Sequence, residues 1–415
     1  MNEGVIEREE RKMIEPSEHR PTVAVVDLNA IQHNIGVVLD KMTDKQQLYA
    51  VVKADGYGHG AIQVAKTAVE AGAKGIAVAT VDEAIELRTN GLSQIPILVM
   101  GLTDPQGIAE ILHYNLTITV SGIAFFEQAY AQLMAMRQTN LLGVYRLKFH
   151  LKLDTGMSRL GLSTVADIHT FTEQVAEYNW ADWEGVFTHF ATAGGGPETY
   201  IDEQWGKWLN LLEAVPAEVK VRHYANSAMG LWHPREPLSD IVRLGIAMYG
   251  VDPKDQLPVD AMSETQLSDE QKAAPQPDDL QPALQLMSEI VYCKQTSAGT
   301  RISYGATYTS EQDEWIATVP IGYADGWLRG YHSVSLLVDG QECPVVGTIN
   351  MDQLMIRLPR EYPVGTMVTL IGRDGHLNNH VSLVAQEVGT IGYEVLCGIS
   401  KRVPRIYLKE EPEFV

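Results

Sequence analysis

The sequence predicts an α/β plus all-β protein, an N-terminal (β/α)8 TIM-type barrel followed by a C-terminal β-strand-rich domain. Three observations carry this. Eight short runs rich in Val, Ile and Leu recur between residues 48 and 250, each near-continuously apolar, as strands buried on both faces are. Helix-length amphipathic segments separate them, which is the βα rhythm of a parallel sheet with crossover helices. Beyond about residue 282 the helical rhythm gives way to alternating runs broken by Gly and Pro. At 415 residues the chain has room for a barrel of about 250 residues and a second domain.

The elements follow in order. Residues 1–16 are charged throughout and read as a mobile N-terminal arm. The barrel is assigned to 17–251, with a first strand at about 21–30, TVAVVDLNAI, expected to pair with the C-terminal sheet. The eight barrel runs are LYAVVKA (48–54), GIAVAT (75–80), IPILVM (95–100), LTITVS (116–121), RLKFHLKLD (146–154), WEGVFTHFA (183–191), VRHYAN (221–226) and IVRLGIAMYG (241–250). An open doubly wound sheet would show the same periodicity. Residues 252–282 are acidic and proline-bearing and read as a linker or surface excursion. Residues 283–410 form the β domain, with hairpins expected in VSLLVDGQECPVVGTI, DQLMIRLP and VGTMVTLIG.

Composition narrows the function. A formal net charge of −21 makes nucleic acid a poor partner, although a few local cations can still hold one small anion. No run is long and apolar enough for a membrane span, and the N-terminus lacks the apolar stretch of a signal peptide. Three cysteines at unpaired spacings suit reduced thiols, and none of their spacings suggests a metal site. A cytoplasmic enzyme is the expectation.

Barrel enzymes work at the C-terminal ends of their strands, and the polar residues concentrate there. Lys53 closes the first run, Arg159 follows the fifth, His189 ends the sixth, Asn226 and Ser227 follow the seventh, and Arg243, Gly245 and Ile246 belong to the eighth. In AVVKADGYGHG (50–60) a lysine at the end of a buried strand is costly as an ammonium unless it is paired or its pKa falls. Such a lysine forms Schiff bases readily, and the glycines after it permit a tight turn that brings Tyr57 back over it. A lone lysine of this kind is more often held in an ion pair beside an ordinary glycine turn.

The undecapeptide resembles the signature of the alanine racemases. The resemblance continues through LKLDTGMSRLG (151–161), GVFTHFATA (185–193), HYANSAMGL (223–231), VRLGIAMYG (242–250), ISYGATYT (302–309), VPIGYADGW (319–327), GTINMDQLMI (347–356) and IGYEVLCGISKRVPR (391–405). It implies a pyridoxal 5'-phosphate-dependent amino-acid racemase that interconverts L- and D-alanine through the substrate's external aldimine. Lys53 then carries the cofactor as a Schiff base, and Tyr57, Ser227, Gly245, Ile246 and Tyr393 match the phosphate-binding positions. His189 and Asn226 belong to the same cofactor site. Arg243 matches the residue facing the pyridine nitrogen, where an arginine, unable to give up its proton, leaves that nitrogen unprotonated. Racemisation by two bases assigns one face of Cα to Lys53 and the other to Tyr304 of the partner subunit. A Tyr304–His189–Arg243 chain would favour the phenolate. Arg159 and Met351 match substrate-carboxylate positions, and Tyr323 and Asp352 match pocket and entrance positions. Lys152 matches a lysine that some members carry carbamylated. The resemblance also implies a head-to-tail homodimer with composite sites, and D-alanine supply for peptidoglycan.

Other readings remain open at this level. A racemase of the same architecture could act on serine or on a broad set of amino acids. A fold-related decarboxylase is disfavoured because such enzymes carry a cysteine-bearing motif where this chain has ISYGATYT. A non-catalytic cofactor carrier would need neither the β domain nor Tyr304. The excursion at 252–282 is longer than the resemblance leads one to expect, and GGGP (194–197) loosens the loop after His189.

Overall fold

The computed structural model describes residues 16–256 and 280–409, so the expected arm (1–16) and excursion (252–282) lie outside the described residues except at their edges. The chain divides into two compact units. One comprises Val26–Leu284, His380–Cys397 and Tyr407–Val415, and the other Met1–Val25, Gln285–Asn379 and Gly398–Ile406.

The chain enters through β1 (Val23–Asp27) and α1 (Leu28–Leu39). The extended stretch is shorter than TVAVVDLNAI suggests. The Asp27 carboxylate accepts the N–H groups of Asn29 and Ala30 at 2.8 and 3.2 Å and starts the helix there. In the first unit, strand and helix then alternate. They run β2 (Gln47–Val51), α2 (Ala61–Glu70), β3 (Gly75–Val78), α3 (Val81–Thr89), β4 (Ile97–Leu102), α4 (Ile108–His113), β5 (Thr117–Val120) and α5 (Ala124–Ala135). The series closes with β6 (Leu147–Lys152), α6 (Val165–Val175), β7 (Ala181–Phe187), α7 (Glu198–Leu212), β8 (Val221–His223), α8 (Ser227–Trp232) and β9 (Ile241–Leu244).

These eight strands, β2 to β9, form one parallel sheet in the order β8-β7-β6-β5-β4-β3-β2-β9. The open seam between β8 and β9 is bridged by two backbone bonds, Arg243 N–H to Ala225 O and Asp240 N–H to Arg222 O, both 3.0 Å. The sheet is therefore a barrel, and the doubly wound alternative is set aside. Every residue of β3, β5 and β9 is buried, as the apolar runs require. The helices cover the outside with their apolar faces. α2, for instance, buries Val64, Ala65 and Ala68 while leaving Lys66 exposed.

The second unit is built of antiparallel strands. β10 (Leu284–Glu289) pairs with β18 (Met367–Asp374), and β15 (Leu336–Val338) forms a hairpin with β16 (Gln341–Cys343). That hairpin turns on Asp339 and Gly340, both at positive φ, the backbone a two-residue turn needs. The sheet order β16-β15-β18-β10-β1-β20 seats β1 between β10 and β20 (Arg405–Leu408). A three-stranded sheet joins β11 (Tyr292–Thr296), β14 (Glu314–Val319) and β17 (Leu354–Leu358), while β12 (Arg301–Ile302) pairs with β13 (Tyr308–Thr309) and β19 (Leu377–Asn379) with β18. Among the described residues, no helix is long and apolar enough to cross a membrane.

Candidate active site

A cavity of about 290 Å³ opens at the C-terminal ends of the barrel strands. It gathers Lys53, Tyr57, Lys152, Arg159, His189, Asn226, Ser227, Arg243, Gly245, Ile246 and Tyr393, residues drawn from across the length of the first unit. Four of these are cationic, and among the described residues no carboxylate lines the cavity. In a chain of net charge −21 such a concentration of positive groups is a built anion site. Lys53 therefore has no anionic partner in the cavity, and the ion-pair reading of that lysine falls away. Burial lowers its pKa and Arg159 lowers it further, while Cys397 and Glu83 oppose the shift.

The segment after Lys53 is a left-handed turn. Ala54, Asp55, Gly56, Tyr57 and Gly58 all have positive φ, between 52° and 80°. Only two are glycine. The three others cost roughly 1–2 kcal/mol each, about 3–6 kcal/mol in all, so surrounding contacts must hold the turn. Glu83 accepts the Ala54 N–H at 2.7 Å, Asp55 accepts the Ala61 N–H at 2.9 Å, and Tyr249 donates its hydroxyl to Val51 O at 2.9 Å. The turn delivers Tyr57 to the cavity between Tyr249 and Tyr393, with ring centroids 4.8 and 6.0 Å away. Burial and the neighbouring Tyr393 push the Tyr57 pKa up, so its hydroxyl stays a donor.

Around it lies a cluster of uncharged donors. Asn226 caps α8 by accepting the Met229 N–H at 2.9 Å, which leaves the Ser227 hydroxyl facing the cavity side, where it accepts the Gly245 N–H at 2.9 Å. A Cβ at Gly245 would sit 2.9 Å from the Tyr57 hydroxyl, so only glycine leaves the space between them open.

Arg243 is buried on β9 and bonded through both of its terminal nitrogens. It donates to Thr188 O at 2.9 Å, Tyr224 O at 3.2 Å, His223 Nδ1 at 2.7 Å and, more loosely, His189 Nδ1 at 3.4 Å. Burial lowers its pKa to about 9, so it remains charged at neutral pH. Because a guanidinium can only donate, His223 must accept on Nδ1 and carry its proton on Nε2. That N–H faces His150 Nδ1 at 2.8 Å, so His150 in turn carries its proton on Nε2. Burial and the Arg243 charge hold all three rings, His150, His189 and His223, below the ordinary histidine pKa. They are neutral, and the positive charge of this network sits on Arg243.

Lys152 is 3% exposed at the end of β6, where its ammonium donates to Leu153 O at 2.7 Å. Burial, with Arg243 second, lowers its pKa to about 7. Arg159 rides on a loop zipped at its base by Asp154 N–H to Leu162 O and Leu162 N–H to Lys152 O. Gly161 makes that base possible, since a Cβ there would lie 2.8 Å from backbone atoms.

Tyr304, Tyr323, Met351 and Asp352 belong to the second unit and do not line this cavity. They share one surface of their own. Tyr304 is 74% exposed, Met351 52% and Tyr323 39%. The Tyr304 loop is strained and tied down. Ser303 and Ala306 have positive φ, Ser303 Oγ donates to Thr348 O at 2.6 Å, and Thr348 Oγ1 donates to Tyr304 O at 3.1 Å. Tyr323 N–H donates to Asn350 O at 3.1 Å, and Arg402 holds Asp352 at 2.8 Å. Sequence reading missed His150, His223 and Glu83. His223 stands inside a quoted motif, His150 inside the fifth strand run and Glu83 in a Thr-x-x-Glu helix-capping pattern, and none of these signals points to the site. Among the described residues, no cluster of His, Cys, Asp or Glu is placed to hold a metal.

A barrel whose strand ends surround a half-buried lysine of lowered pKa with donors suited to an anion belongs to the class of enzymes that act on small anionic molecules. The comparisons name the family. The alanine racemase N-terminal domain profile matches residues 26–253 and the C-terminal domain profile residues 283–407. The chain is 43% identical over 394 residues to the alanine racemase of Ligilactobacillus salivarius, covering 94% of this chain and 98% of that protein. The crystal structure of alanine racemase from E. faecalis superposes with a TM-score of 0.85 at 40% identity, covering 95% of this chain and 100% of that one. A histidine racemase from Leuconostoc mesenteroides subsp. sake superposes with a TM-score of 0.83 at 31% identity, covering 95% and 100%. The chain belongs to the alanine racemase family, pyridoxal-phosphate-dependent isomerases.

Proposed function

We propose that this protein interconverts L-alanine and D-alanine with pyridoxal 5'-phosphate as cofactor. The observation that carries the reading is the carboxylate-free cavity with four basic side chains, Lys53 among them. The residues present fit the cofactor group by group. Lys53, its pKa lowered, suits the aldehyde. The hydroxyls of Tyr57, Ser227 and Tyr393 and the backbone N–H of Ile246 suit the phosphate, as does the Gly245 N–H once it turns from Ser227 Oγ, and they can bind it without adding a competing base. Asn226 orders the helix start beside them. Arg243 suits the ring nitrogen as a donor that keeps its proton. When bound, pyridoxal phosphate supplies an electron sink that weakens the Cα–H bond of the substrate.

The protein's own groups then divide the work. Lys53 Nζ takes or gives the proton on one face of Cα, and Tyr304 of the partner subunit serves the other. Arg159 and the Met351 N–H of the partner subunit bind the substrate carboxylate. His189, neutral and beside Arg243, orients the tyrosine. Tyr323 and Asp352 of the partner subunit shape the approach to the site. A pKa of about 7 gives Lys152 a substantial neutral fraction, the form that carbamylation requires, and such a carbamate would hold Arg159. A homodimer with composite sites is supported by the exposure of Tyr304, Tyr323 and Met351 on a loop surface whose backbone is firmly held. Three free cysteines fit a cytoplasmic enzyme, and supply of D-alanine to peptidoglycan is the proposed role.

The histidine racemase neighbour shows that this scaffold serves other side chains, so serine and broader specificity are the alternatives to test. An absorbance spectrum of the purified protein, followed by a D-amino-acid-oxidase-coupled assay on L-alanine, L-serine, L-lysine and L-histidine, decides. A visible cofactor band with turnover highest on alanine is expected. A band with higher turnover on another amino acid would overturn the substrate assignment.

A further inference from the structure

Glu83 lies outside the cavity, yet both of its carboxylate oxygens are committed to backbone N–H groups. Oε2 accepts from Ala79 at 2.7 Å and from Thr80 at 3.1 Å, and Oε1 accepts from Ala54 at 2.7 Å. Part of this is a capping box at the start of α3, in which Thr80 Oγ1 accepts the Glu83 N–H at 3.2 Å and Glu83 answers at Thr80. The bond to Ala54 is no part of a cap. It crosses 29 residues of sequence to the backbone immediately after Lys53, at the first residue of the left-handed turn.

We propose that Glu83 is a positioning residue for Lys53, a clamp that fixes the left-handed turn to the end of the neighbouring strand β3 and so holds the lysine in the cavity. Within the turn the later N–H groups find backbone acceptors: Gly56 on Val52 O, Gly58 on Ala54 O and Gly60 on Asp55 O. The Ala54 N–H has the Glu83 carboxylate instead. Three non-glycine residues at positive φ favour relaxation of the turn, and a relaxed turn would redirect the side chain that precedes it. The same carboxylate partly offsets the lowering of the Lys53 pKa by burial and Arg159. Glu83 thus holds the direction of the lysine without touching the substrate, and its effect on the lysine's proton affinity is minor. The inference rests on the reading of Lys53 given above.

The test compares Glu83→Gln with Thr80→Ala in the full-length, cofactor-loaded protein. Glutamine keeps the size but offers one acceptor oxygen and turns an amide N–H₂ toward backbone donors. Glu83→Gln should lower kcat about ten- to a hundred-fold with little change in KM for alanine, as small misplacements of a reacting group do. Deuterium uptake at residues 53–58 should quicken by about tenfold or more. Thr80→Ala loses only the cap. Its Tm should fall while kcat and uptake at residues 53–58 stay as in the parent. Equal kcat losses in the two variants, or unchanged uptake at the turn in Glu83→Gln, would overturn the proposal. A parent protein that fails to racemise alanine defeats the functional reading instead, and the uptake comparison still decides the clamp.

Discussion

The line of neutral histidines behind Arg243 makes the stability of the barrel steeply pH-dependent in a window set by imidazole chemistry. His150 and His223 are buried, His189 is partly buried at the cavity wall, and the pKa values of all three are pressed below the ordinary 6.5, to about 3 for His150. In the unfolded chain each ring takes up a proton near pH 6.5, whereas in the fold it does not. The stabilisation is complete above pH 6.5 and is lost progressively as the pH falls toward the folded values. Between pH 8 and pH 5.5 each ring costs about 1 kcal/mol, and the three together several times that. The partly buried His233 shifts in the same direction and adds to the loss. Carboxylates contribute chiefly below about pH 5, and Lys152, whose folded pKa is lowered to about 7, adds a loss of the same sign at the upper end of the window, so the difference between parent and variant is what reads a single ring. His150→Asn places an amide oxygen where Nδ1 accepts the His223 N–H and removes one titration. The loss of stability from pH 8 to 5.5 should then shrink by about 1 kcal/mol. Urea unfolding at the two pH values measures it, and 15N NMR of histidine-labelled protein at pH 6 reads the Nε2–H tautomers of His150 and His223 directly. A parent loss under about 1 kcal/mol, or an imidazolium signal from any of the three rings at pH 6, would refute the reasoning.

Three further outcomes follow from the proposed roles. Lys53→Ala should remove the visible absorbance of bound cofactor and lower turnover by about a thousandfold or more; an active variant that keeps the band would defeat the assignment. Tyr304→Phe should slow kcat about 10²- to 10⁴-fold in both directions while the cofactor stays bound, and near-normal turnover would sink the two-base scheme. Gly245→Ala sets a methyl 2.9 Å from the Tyr57 hydroxyl. It should weaken cofactor binding about ten- to a hundredfold, read by spectroscopic titration; unchanged affinity would remove Gly245 from the phosphate site.

The eight apolar runs were legible because parallel strands buried on both faces leave an uninterrupted hydrophobic signature. The Asp339–Gly340 hairpin was legible because its turn chemistry is local. The residues of the cavity were legible because they stand at strand ends within recognisable motifs. Other features depend on contacts that no local pattern encodes. Tyr393, late in the chain, packs with the barrel unit rather than with the strands around it in sequence. The left-handed turn after Lys53 runs against the backbone preference of three of its residues and is held by Glu83, from another βα unit. The tautomers of His223 and His150 follow from the one donor-only group at the end of their line. The sequence by itself determined the order of elements and the identity of the polar groups at the strand ends, because burial and turn chemistry are written in neighbouring residues. Only the tertiary structure decided which groups share a proton, which backbone is held under strain and which charges meet without a counterion, because those are set by distances across the barrel.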